Sequence, residues 1–421
     1  MGRGSGQARQ TRQRGAQGVP RRPGPRGSMR MADASWGPLA GLRVLDFSVL
    51  LPGPAATVML ADLGADVVKV EPLAGDPFRI MTRPDTMFRN TNRNKRSIAI
   101  NLKHPASRQV VERLAERSDV AVEAFRPGVA ARLGIDSEYL RKINPGLVYC
   151  SLSGYGQDGP WRNMPGHDGN YLAAAGALAF SGHWLEKPMR SGLPVADLAG
   201  GSLAVIAILA ALREREGTGK GAYLDMSLFE SALFYTSLRH GMAADRPNRD
   251  HLFPFNDLFE TADGQRIAFA PVEEHFWKEF QRAIGDFAPA LLHADYATPD
   301  GRRRRGDELA QILHALFRTK TAADWMALFE RHDLPAQLCL TPAQAAAGSQ
   351  ATAREMVLQM DGEPMVPFPV RADGRRGGVL KRGAPRVGQD TLAILEELGF
   401  EKQQRAALVE QAVVGIPADA A

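Results

Sequence analysis

The stretch from Gly41 to Glu71 decides the fold, and it reads GLRVLDFSVLLPGPAATVMLADLGADVVKVE. Two runs rich in apolar and β-branched residues, Arg43–Ser48 and Asp66–Glu71, flank a segment at Ala55–Leu63 whose apolar residues recur every three to four positions. Runs that are apolar on both faces predict buried strands, and the three-to-four spacing between them predicts a helix. The stretch therefore predicts parallel strands joined by a helix.

The same alternation continues along the chain and predicts a sheet covered on both faces. Three further apolar runs predict strands, and one amphipathic segment predicts a helix, at Ser97–Leu102, Val120–Phe125, Leu147–Gly154 and Ala106–Arg117. A long buried helix is predicted at Asp197–Glu216, followed by a strand at Ala222–Met226 and a helix at Leu228–Leu238. The predicted fold class is α/β, with a Rossmann-like, doubly wound parallel sheet in a large domain.

The second half of the chain has a different pattern. A turn at Ala262–Gly264 lies between two strand-like runs and predicts a hairpin, Phe255–Thr261 with Gln265–Ala270. Amphipathic helices and then an irregular stretch rich in Pro, Gly and Arg follow, ahead of a last helix, at His275–Ile284, Glu308–Phe317, Ala322–Arg331, 362–384 and Asp390–Leu398. We therefore expect a smaller α+β domain. The predicted organisation is a tail, a large domain, a small domain and a C-terminal segment that returns to the large domain, at 1–38, 39–230, 231–355 and 356–421.

Composition excludes several classes of protein. The 421 residues are 44% hydrophobic and 24% charged, which is typical of a soluble globular chain. The longest apolar run, Leu203–Leu212, is about half of what a bilayer span needs, so no membrane association is expected. Two cysteines, Cys150 and Cys339, cannot form a disulfide framework or a cysteine-based metal site, and a reducing cytoplasm is the expected compartment.

The positive charge of the chain belongs to its N-terminal tail. Residues 1–30 hold eight arginines and no acidic residue, whereas the remainder holds 44 basic against 47 acidic residues. We therefore expect no nucleic-acid partner for the folded body. The tail has almost no large apolar side chains and is expected to be solvated. The alternatives are a transit peptide, or a natural chain that starts at Met29 or Met31 and lacks the tail.

Nucleotide cofactors are disfavoured by the first strand–helix connection. After the first strand the chain reads Ser48-Val-Leu-Leu-Pro-Gly-Pro-Ala, which has no GxGxxG and places prolines where the tight turn would lie. No GxxxxGK[ST] phosphate loop is present either. NAD and ATP chemistry are therefore not expected.

Reactive side chains concentrate in segments that are predicted as loops or helix starts. His167 lies between Gly166 and Gly169, after the predicted strand end that usually carries the site of an open α/β sheet. Asp197 precedes Gly200-Gly201, and these glycines would let a substrate approach the backbone closely. Each also has an ordinary structural interpretation, as a hydrogen-bonded loop histidine and as a helix N-cap.

Two further clusters carry charge. Glu273, in Glu273-Glu274-His275, follows a predicted strand and could serve acid–base chemistry if it converges with His167 and Asp197. Asn92-Arg-Asn-Lys-Arg-Ser contains Lys95 and Arg96, and Lys103 lies beyond the next strand. This basic cluster is either a solvated loop or a phosphate-binding rim.

These motifs, taken in order, resemble the family III CoA transferases of the CaiB/BaiF type. The family includes formyl-CoA and carnitine-CoA transferases and the α-methylacyl-CoA racemases. The resemblance runs from about Gly41 to Phe400, and its other carriers are Asn94-Lys-Arg-Ser, Phe125-Arg-Pro-Gly, Gly154-Tyr-Gly-Gln-Asp-Gly-Pro, Thr218-Gly-Lys-Gly, Thr261-Ala-Asp-Gly and Glu396-Glu-Leu-Gly-Phe. It implies a Rossmann-like large domain formed by both chain ends, a small domain, and a homodimer of two interlocked chains.

The resemblance also implies roles for individual residues. Asp197 matches the catalytic carboxylate, which is a nucleophile in the transferases and an acid–base group in the racemases. His167, in Gly166-His-Asp-Gly-Asn-Tyr-Leu-Ala, matches the second racemase base, and Glu273 matches a glutamate near that histidine. The stretch His251–Asp257 has no glycine, unlike the loop that covers the intermediate in formyl-CoA-type transferases.

The racemase branch is also favoured on chemical grounds. A swap of configuration needs a proton acceptor on one face of the α-carbon and a donor on the other. A neutral imidazole suits the first role and a carboxylic acid in a partly dry pocket suits the second. Glu273 near His167 would fix the tautomer of the imidazole, and backbone N–H groups beside Asp197 would stabilise the enolate oxygen.

The sequence therefore predicts an acyl-CoA enzyme that epimerises the α-carbon of a 2-substituted acyl-CoA. The alternative is a CoA transferase that works through an aspartyl-CoA thioester on Asp197. No metal and no cofactor beyond the CoA of the substrate are expected. Residues expected to bind CoA are Lys95, Arg96, Ile100, Asn101, Leu102, Lys103, Arg126, Gly166, Asp168 and Asn170.

Overall fold

The computed structural model describes residues 36–81, 84–180, 182–185, 191–239 and 252–418, together with Met1. The tail predicted at 1–38 falls almost wholly outside these ranges, as does His251. The described residues from Trp36 onward belong to one compact unit.

Strands and helices alternate through the first half of the described chain. The strands are β1 Arg43–Asp46, β2 Asp66–Glu71, β3 Lys95–Ile100, β4 Val120–Glu123, β5 Val148–Ser153, β6 Tyr223–Ser227, β7 Asp257–Glu260, β8 Arg266–Phe269, β9 Ala336–Leu338, β10 Leu358–Met360, β11 Glu363–Met365, β12 Arg371–Ala372, β13 Arg375–Arg376 and β14 Val414–Gly415. The α-helices are α1 Pro52–Asp62, α2 Phe78–Met81, α3 Thr86–Asn92, α4 Ser107–Glu116, α5 Val129–Leu133, α6 Ser137–Ile143, α7 Asp168–Ala174, α8 Val195–Thr218, α9 Leu228–Thr236, α10 Glu274–Ile284, α11 Pro299–Arg304, α12 Gly306–Phe317, α13 Ala322–Arg331, α14 Pro342–Ala347, α15 Ser349–Ala353, α16 Thr391–Glu397 and α17 Lys402–Glu410.

The main sheet has seven strands in the order β14-β3-β2-β1-β4-β5-β6. Its first six strands in chain order pair in parallel, and only β14 runs antiparallel, against β3. Successive residues of each strand point to opposite faces, so Val44 and Leu45 enter different cores. Helices α4, α6, α16 and α17 cover one face, and α1, α7, α8 and α9 cover the other. The α/β fold with a large parallel sheet, predicted from the sequence, is confirmed.

A separate three-stranded antiparallel sheet, β7-β8-β9, lies in the second half of the chain. Its own core is rich in aromatic side chains, among them Trp277, Phe317 and Trp325, which are fully buried. Of the C-terminal elements, α16 and α17 pack against the seven-stranded sheet, and β14 is its edge strand beside β3. The predicted hairpin and the predicted amphipathic helices are present, with ends that differ slightly from those expected. The domain boundaries given above remain a prediction.

Helix α8 is long and apolar enough to cross a membrane by length and composition, with a mean hydropathy of 2.1 over its most apolar window. The unbroken ten-residue apolar run in the sequence underestimates the apolar length of this helix, because Ala196–Leu198 and the glycines extend it. Half of that window is buried, and α8 packs against α1, α7 and α9. One such helix is weak evidence for a membrane, since the core helix of a soluble protein has the same length and composition.

Candidate active site

A cavity of about 770 Å³ lies at the carboxyl ends of β1, β4 and β5. Ligands of open α/β sheets bind at this edge of the sheet, where the strand order reverses direction. Polar and charged side chains from the end of β5, two loops and two helix starts line the cavity; they are Ser153, Tyr155, Arg126, Arg162, His167, Asp168, Asn170, Tyr171 and Asp197. Most of the remaining wall is apolar, including Leu50, Leu51, Met81, Met87 and Met164.

His167 immediately precedes α7 and is exposed at the cavity wall. Its backbone N–H donates to Oδ1 of Asn170 at 2.9 Å, and its carbonyl accepts from the backbone N–H of Asn170 at 2.8 Å. A third hydrogen bond comes from Tyr171, whose hydroxyl donates to the carbonyl of Gly166 at 2.6 Å. These bonds fix the backbone on both sides of the imidazole, so the side chain is presented from a defined position.

Asp197 lies in the first turn of α8 and lines the same cavity as His167. The sequence left open whether Asp197 caps this helix, and the structure answers that it does not. The helix begins at Val195, and the carboxylate of Asp197 makes no hydrogen bond to any of the described residues. A partly buried carboxylate that faces a cavity, and that no described residue engages, is available to a ligand.

Asp168 performs the capping role instead, from a different helix. Its Oδ1 accepts the backbone N–H of Ala196 at 2.7 Å and that of Asp197 at 3.3 Å. The side chain is buried, and among the described residues its Oδ2 has no hydrogen-bond partner. Asp168 thereby joins the start of α7, which carries His167, to the start of α8, which carries Asp197.

The surroundings of Asp197 change its acidity. Burial raises the pKa of its carboxyl from an ordinary 3.8 to about 7, and the negative charge of Asp168 adds to the effect. A carboxyl group with this pKa is present in both protonation states near neutral pH. It can therefore donate a proton as well as accept one, as acid–base catalysis requires.

The backbone N–H groups beside Asp197 are not free, contrary to the expectation that they would stabilise an enolate. Asp168 accepts those of Ala196 and Asp197, and the carbonyl of Pro194 accepts that of Leu198 at 3.0 Å. The prediction is wrong for these three groups, because the Asp168 side chain and the Pro194 carbonyl already accept their hydrogen bonds.

Gly200 and Gly201 are buried and do not line the cavity. A Cβ on Gly200 would lie 2.4 Å from Cδ2 of Leu228, and one on Gly201 would lie 2.9 Å from the carbonyl oxygen of Pro52. The glycines therefore permit close packing of α8 against α9 and α1. The expectation that they admit a substrate to the backbone is wrong.

Glu273 is not brought to the cavity within the described part of this chain. It is exposed, and it immediately precedes α10, in the half of the chain that carries the second sheet. Its neighbour Glu274 pairs with the buried Arg302. His167 and Asp197 thus share one cavity, whereas Glu273 does not join them.

A second cavity, of about 460 Å³, continues the edge of the sheet past β1 toward β3. Ile100, Asn101, Leu102 and Lys103 line it, together with Val49 and Phe125, which also line the larger cavity. Lys103 is exposed. Of the residues expected to bind CoA, these four lie in the smaller cavity, and Arg126, Gly166, Asp168 and Asn170 lie in the larger one.

Lys95 is not available to a phosphate, so its expected role in CoA binding is wrong. Its side chain is fully buried, and Nζ lies 2.9 Å from Oδ2 of Asp46, 2.9 Å from Oδ1 of Asn92 and 3.1 Å from the carbonyl oxygen of Pro54. Burial lowers the pKa of Lys95 to about 8, against the opposing charge of Asp46. The ammonium group holds the β1–α1 connection to β3.

Arg96 is likewise misassigned. Its guanidinium donates to both oxygens of Asp66, at 3.0 and 2.7 Å, and to both oxygens of Glu397, at 2.7 and 2.9 Å. Together with Arg43 and Arg117 it lines a third cavity, of about 250 Å³. This cavity is separate from the two at the carboxyl edge of the sheet. Two carboxylates already neutralise this side chain and fix it to α16.

The loop after β1 also lines the larger cavity, at Val49–Leu51, and no motif in the sequence predicted this role. Leu50 has a φ of +65°, a conformation that L-residues rarely adopt, and its N–H donates to Oδ1 of Asp76 at 3.3 Å. Nζ of Lys69 lies 2.9 Å from Oδ2 of Asp76 and donates to the carbonyl of Ser48. A buried ion pair therefore supports this wall of the cavity, and only the buried charges within an apolar strand could have signalled it.

The comparisons with known proteins agree with this architecture. Residues 39–391 match the sequence pattern described as CoA-transferase family III. A succinyl-CoA:glutarate CoA-transferase of Mus musculus is 34% identical over 86% of each chain. An alpha-methylacyl-CoA racemase of Homo sapiens is 32% identical over 87% of this chain and 94% of its own.

A solved structure gives the same result for the fold. The CaiB/BaiF family protein from Brucella suis superposes with a TM-score of 0.77 and 29% sequence identity, covering 86% of this chain and 99% of its own. The family resemblance inferred from the ordered motifs is confirmed. This chain belongs to CoA-transferase family III.

Proposed function

We propose that this enzyme epimerises the α-carbon of a 2-substituted acyl-CoA by transferring protons between two groups, His167 and Asp197. The observation that carries the proposal is that both side chains line one 770 Å³ cavity at the carboxyl edge of the sheet. They come from segments about thirty residues apart, and Asp168 holds those segments together.

The chemistry follows from the two groups. The imidazole of His167 removes the proton from the α-carbon, and the electron pair of the C–H bond moves into the thioester to form an enolate. The carboxylic acid of Asp197 then donates its proton to the opposite face of that carbon. The reverse reaction exchanges the two roles, and no redox change or external reactant is involved.

The pKa of Asp197 supports its share of this scheme. Because burial and Asp168 raise the pKa to about 7, a substantial fraction of the carboxyl is protonated at neutral pH. An ordinary aspartate, with a pKa of 3.8, would be protonated in roughly one molecule in a thousand at that pH. The raised pKa thus supplies the proton donor that the reaction needs.

The CoA part of the substrate is proposed to lie along the smaller cavity, with the thioester directed into the larger one. Val49 and Phe125 line both cavities, so the two are neighbours along the edge of the sheet. Lys103 supplies a positive charge at the smaller cavity, and the apolar side chains of Ile100 and Leu102 suit the adenine or the pantetheine arm.

A homodimer is part of the same proposal. Several large apolar side chains are exposed on α8, on α9 and on the turn after it, including Ile206, Phe234 and Leu238, and a second copy would bury them. Glu273 could then reach a cavity only as a contribution from one chain to the other. Light scattering on the purified protein tests the dimer, and a monomeric mass would contradict it.

The second candidate function is that of a CoA transferase, and the similarity of the chain to known transferases supports it. Transferases and racemases resemble the chain at similar identity, 34% and 32%. In this scheme Asp197 attacks the thioester carbonyl, the C–S bond breaks, and the CoA thiolate leaves a mixed anhydride. The thiolate then attacks the aspartyl carbonyl, releasing the first acid, and the resulting aspartyl-CoA thioester passes CoA to a second acid by the reverse steps.

Two assays separate the candidates. For the racemase, (S)-2-methylacyl-CoA esters of several chain lengths are incubated with enzyme in D₂O, and α-deuterium is measured by mass spectrometry. We expect incorporation that is lost in His167→Ala. Absence of exchange with every ester, together with acyl-CoA-dependent inactivation by hydroxylamine at Asp197, would contradict the racemase and support the transferase.

A further inference from the structure

The peptide group between Gly166 and His167 is held at both of its polar ends by side chains of α7. The carbonyl of Gly166 accepts the hydroxyl of Tyr171 at 2.6 Å, and the N–H of His167 donates to Oδ1 of Asn170 at 2.9 Å. A peptide group is planar, so holding its oxygen and its hydrogen restricts the rotation of the whole plane. The orientation of that plane sets the φ of His167, which is −132°, and with it the direction in which the imidazole leaves the backbone.

Of these two side chains, Tyr171 is the one that is shielded from water. Its side chain is 6% exposed, whereas Asn170 is exposed. A hydrogen bond is stronger where water and its high dielectric are excluded. We therefore expect the bond from Tyr171 to restrain the His167 peptide more than the bond from Asn170 does.

The ring of Tyr171 is wedged between two glycines from separate segments. A Cβ on Gly154, directly after β5, would lie 2.8 Å from Oη of Tyr171, and a Cβ on Gly166 would lie 2.7 Å from its Cε1. Tyr155 packs edge-on against the same ring, with centroids 5.2 Å apart and an angle of 76° between the planes. Both glycines are therefore needed for the phenol to reach the turn that carries His167, and the ring ties that turn to the end of β5.

The hydroxyl of Tyr171 keeps its proton under the conditions in which the site works. Burial raises the pKa of Tyr171 to about 12, and the negative charge of Asp197 adds to the effect, against the opposing charge of Arg126. The phenol is therefore protonated wherever Asp197 titrates, near pH 7. It donates to Gly166 throughout this range, so Tyr171 serves to hold the turn and does not carry a proton in the reaction.

We propose that Tyr171 is a positioning residue for His167, so that its hydroxyl is needed for proton transfer at the imidazole face of the α-carbon and much less at the Asp197 face. The inference rests on the proposed function, because it assumes that the two faces are served by different groups. Asp197 is presented by other bonds, those from its own N–H and that of Ala196 to Asp168, and these do not involve the hydroxyl of Tyr171. A catalytic group displaced by about 1 Å can lose on the order of a hundredfold in rate.

The test measures α-deuterium exchange in D₂O separately for the two enantiomers of one 2-methylacyl-CoA ester. His167→Ala first identifies the enantiomer whose α-proton the imidazole removes. We expect Tyr171→Phe to lower the maximal rate for that enantiomer about tenfold or more, and the rate for its mirror image far less. The half-saturating concentrations should not change, because the ring still forms the cavity wall.

Tyr149→Phe is the matched control. The hydroxyl of Tyr149 is also buried and also donates to a backbone carbonyl, that of Ile135 at 2.7 Å, but it lies in the core on the opposite face of the sheet. Each variant loses one buried bond of the same type, so we expect similar decreases in the urea midpoint. Only Tyr171→Phe should change the ratio of the two exchange rates.

Gly154→Ala disturbs the same ring without removing its hydroxyl. The added methyl group would displace the phenol from the side of β5, so we expect a selective loss for the same enantiomer as in Tyr171→Phe. A ratio of rates equal to that of the parent would contradict the wedge between the two glycines.

The outcomes separate this inference from the proposed function. Equal losses for the two enantiomers in Tyr171→Phe, or the same change of ratio in Tyr149→Phe, would overturn the role of Tyr171 and leave the proposed function standing. Absence of exchange by the parent with both enantiomers of every ester would overturn the proposed function, and this inference with it.

Discussion

Asp168 and Asp197 are joined by a hydrogen bond of 3.3 Å, in which Oδ1 of Asp168 accepts the backbone N–H of Asp197. The same oxygen accepts from Ala196, so one carboxylate satisfies two N–H groups of the first turn of α8. Asp168 thus does two things to Asp197. It holds the turn that presents the Asp197 carboxylate, and its charge helps to raise the pKa of that carboxylate.

These two effects of Asp168 can be separated by substitution. Asp168→Asn keeps an oxygen that can accept both N–H groups but removes the charge, whereas Asp168→Ala removes both. We expect the free energy of unfolding to fall by about 1–2 kcal/mol in the alanine variant, the usual effect of losing a helix cap, and by less in the asparagine variant. Urea denaturation of the three proteins measures this difference. Equal losses in the two variants would show that the capping bonds contribute little.

The pH dependence of the same variants tests the electrostatic effect. Proton donation by Asp197 fails once the carboxyl ionises, so the rate of α-deuterium exchange in the direction that uses Asp197 as the acid should fall above about pH 7. In Asp168→Asn this limb should move to lower pH, because a negative neighbour has been removed. A limb that stays in place would mean that burial alone sets the pKa of Asp197.

Asp197 also makes stability depend on pH. Its carboxyl ionises near pH 3.8 in the unfolded chain and near 7 in the folded protein, so between these values the folded protein retains a proton that the unfolded chain has lost. Stability therefore falls as pH rises through this range. Asp197→Asn removes this dependence. The free energy of unfolding of the variant minus that of the parent should therefore be about 2 kcal/mol larger at pH 8.5 than at pH 5.5. Urea unfolding at the two pH values measures the change, and a constant difference would contradict it.

The sequence was sufficient for the sheet and for the cavity position because both depend on local patterns. Val67 and Val68 enter opposite cores, as a strand with two apolar faces requires. His167 and Asp197 follow short motifs at a strand end and a helix start, and both line the cavity. Neither motif reports a distance, so their convergence had to come from the fold.

The misassigned residues failed for a shared reason, since their partners are distant in the chain. Lys95 pairs with Asp46, forty-nine residues earlier, and Arg96 pairs with Glu397, 301 residues later. A basic run in the sequence gives no sign of such partners. The expected role of Gly201 in admitting a substrate failed for the same reason, because the atom that excludes a side chain there belongs to Pro52 on another helix.

The contrast between Lys95 and Lys103 gives a prediction on CoA binding. Lys95→Ala leaves Asp46 buried beside one remaining cation, Lys69, and should destabilise the protein by about 3–5 kcal/mol. Lys103→Ala removes an exposed charge at the smaller cavity, so it should leave stability unchanged and weaken CoA binding several-fold at low salt. Thermal unfolding and calorimetric titration with CoA measure the two effects. If the Lys95→Ala variant were as stable as the parent and lost only CoA affinity, Lys95 would bind a phosphate of CoA after all.

The packing of α8 gives the last prediction, with a control inside the same helix. Gly201→Ala places a Cβ 2.9 Å from the backbone carbonyl of Pro52, and because backbone cannot rotate away, α1 and α8 must separate. We expect a loss of about 1–3 kcal/mol in the free energy of unfolding. A methyl group added to Gly217, near the end of α8, would meet no described atom within 4 Å, so Gly217→Ala should instead stabilise the protein by about 0.5–1 kcal/mol through helix propensity. Because Gly201 lies one turn from Asp197 and supports the helix start, Gly201→Ala should also slow α-deuterium exchange, whereas Gly217→Ala should not. If both glycines tolerate alanine equally, the close approach of α8 to α1 is not what requires a glycine at position 201.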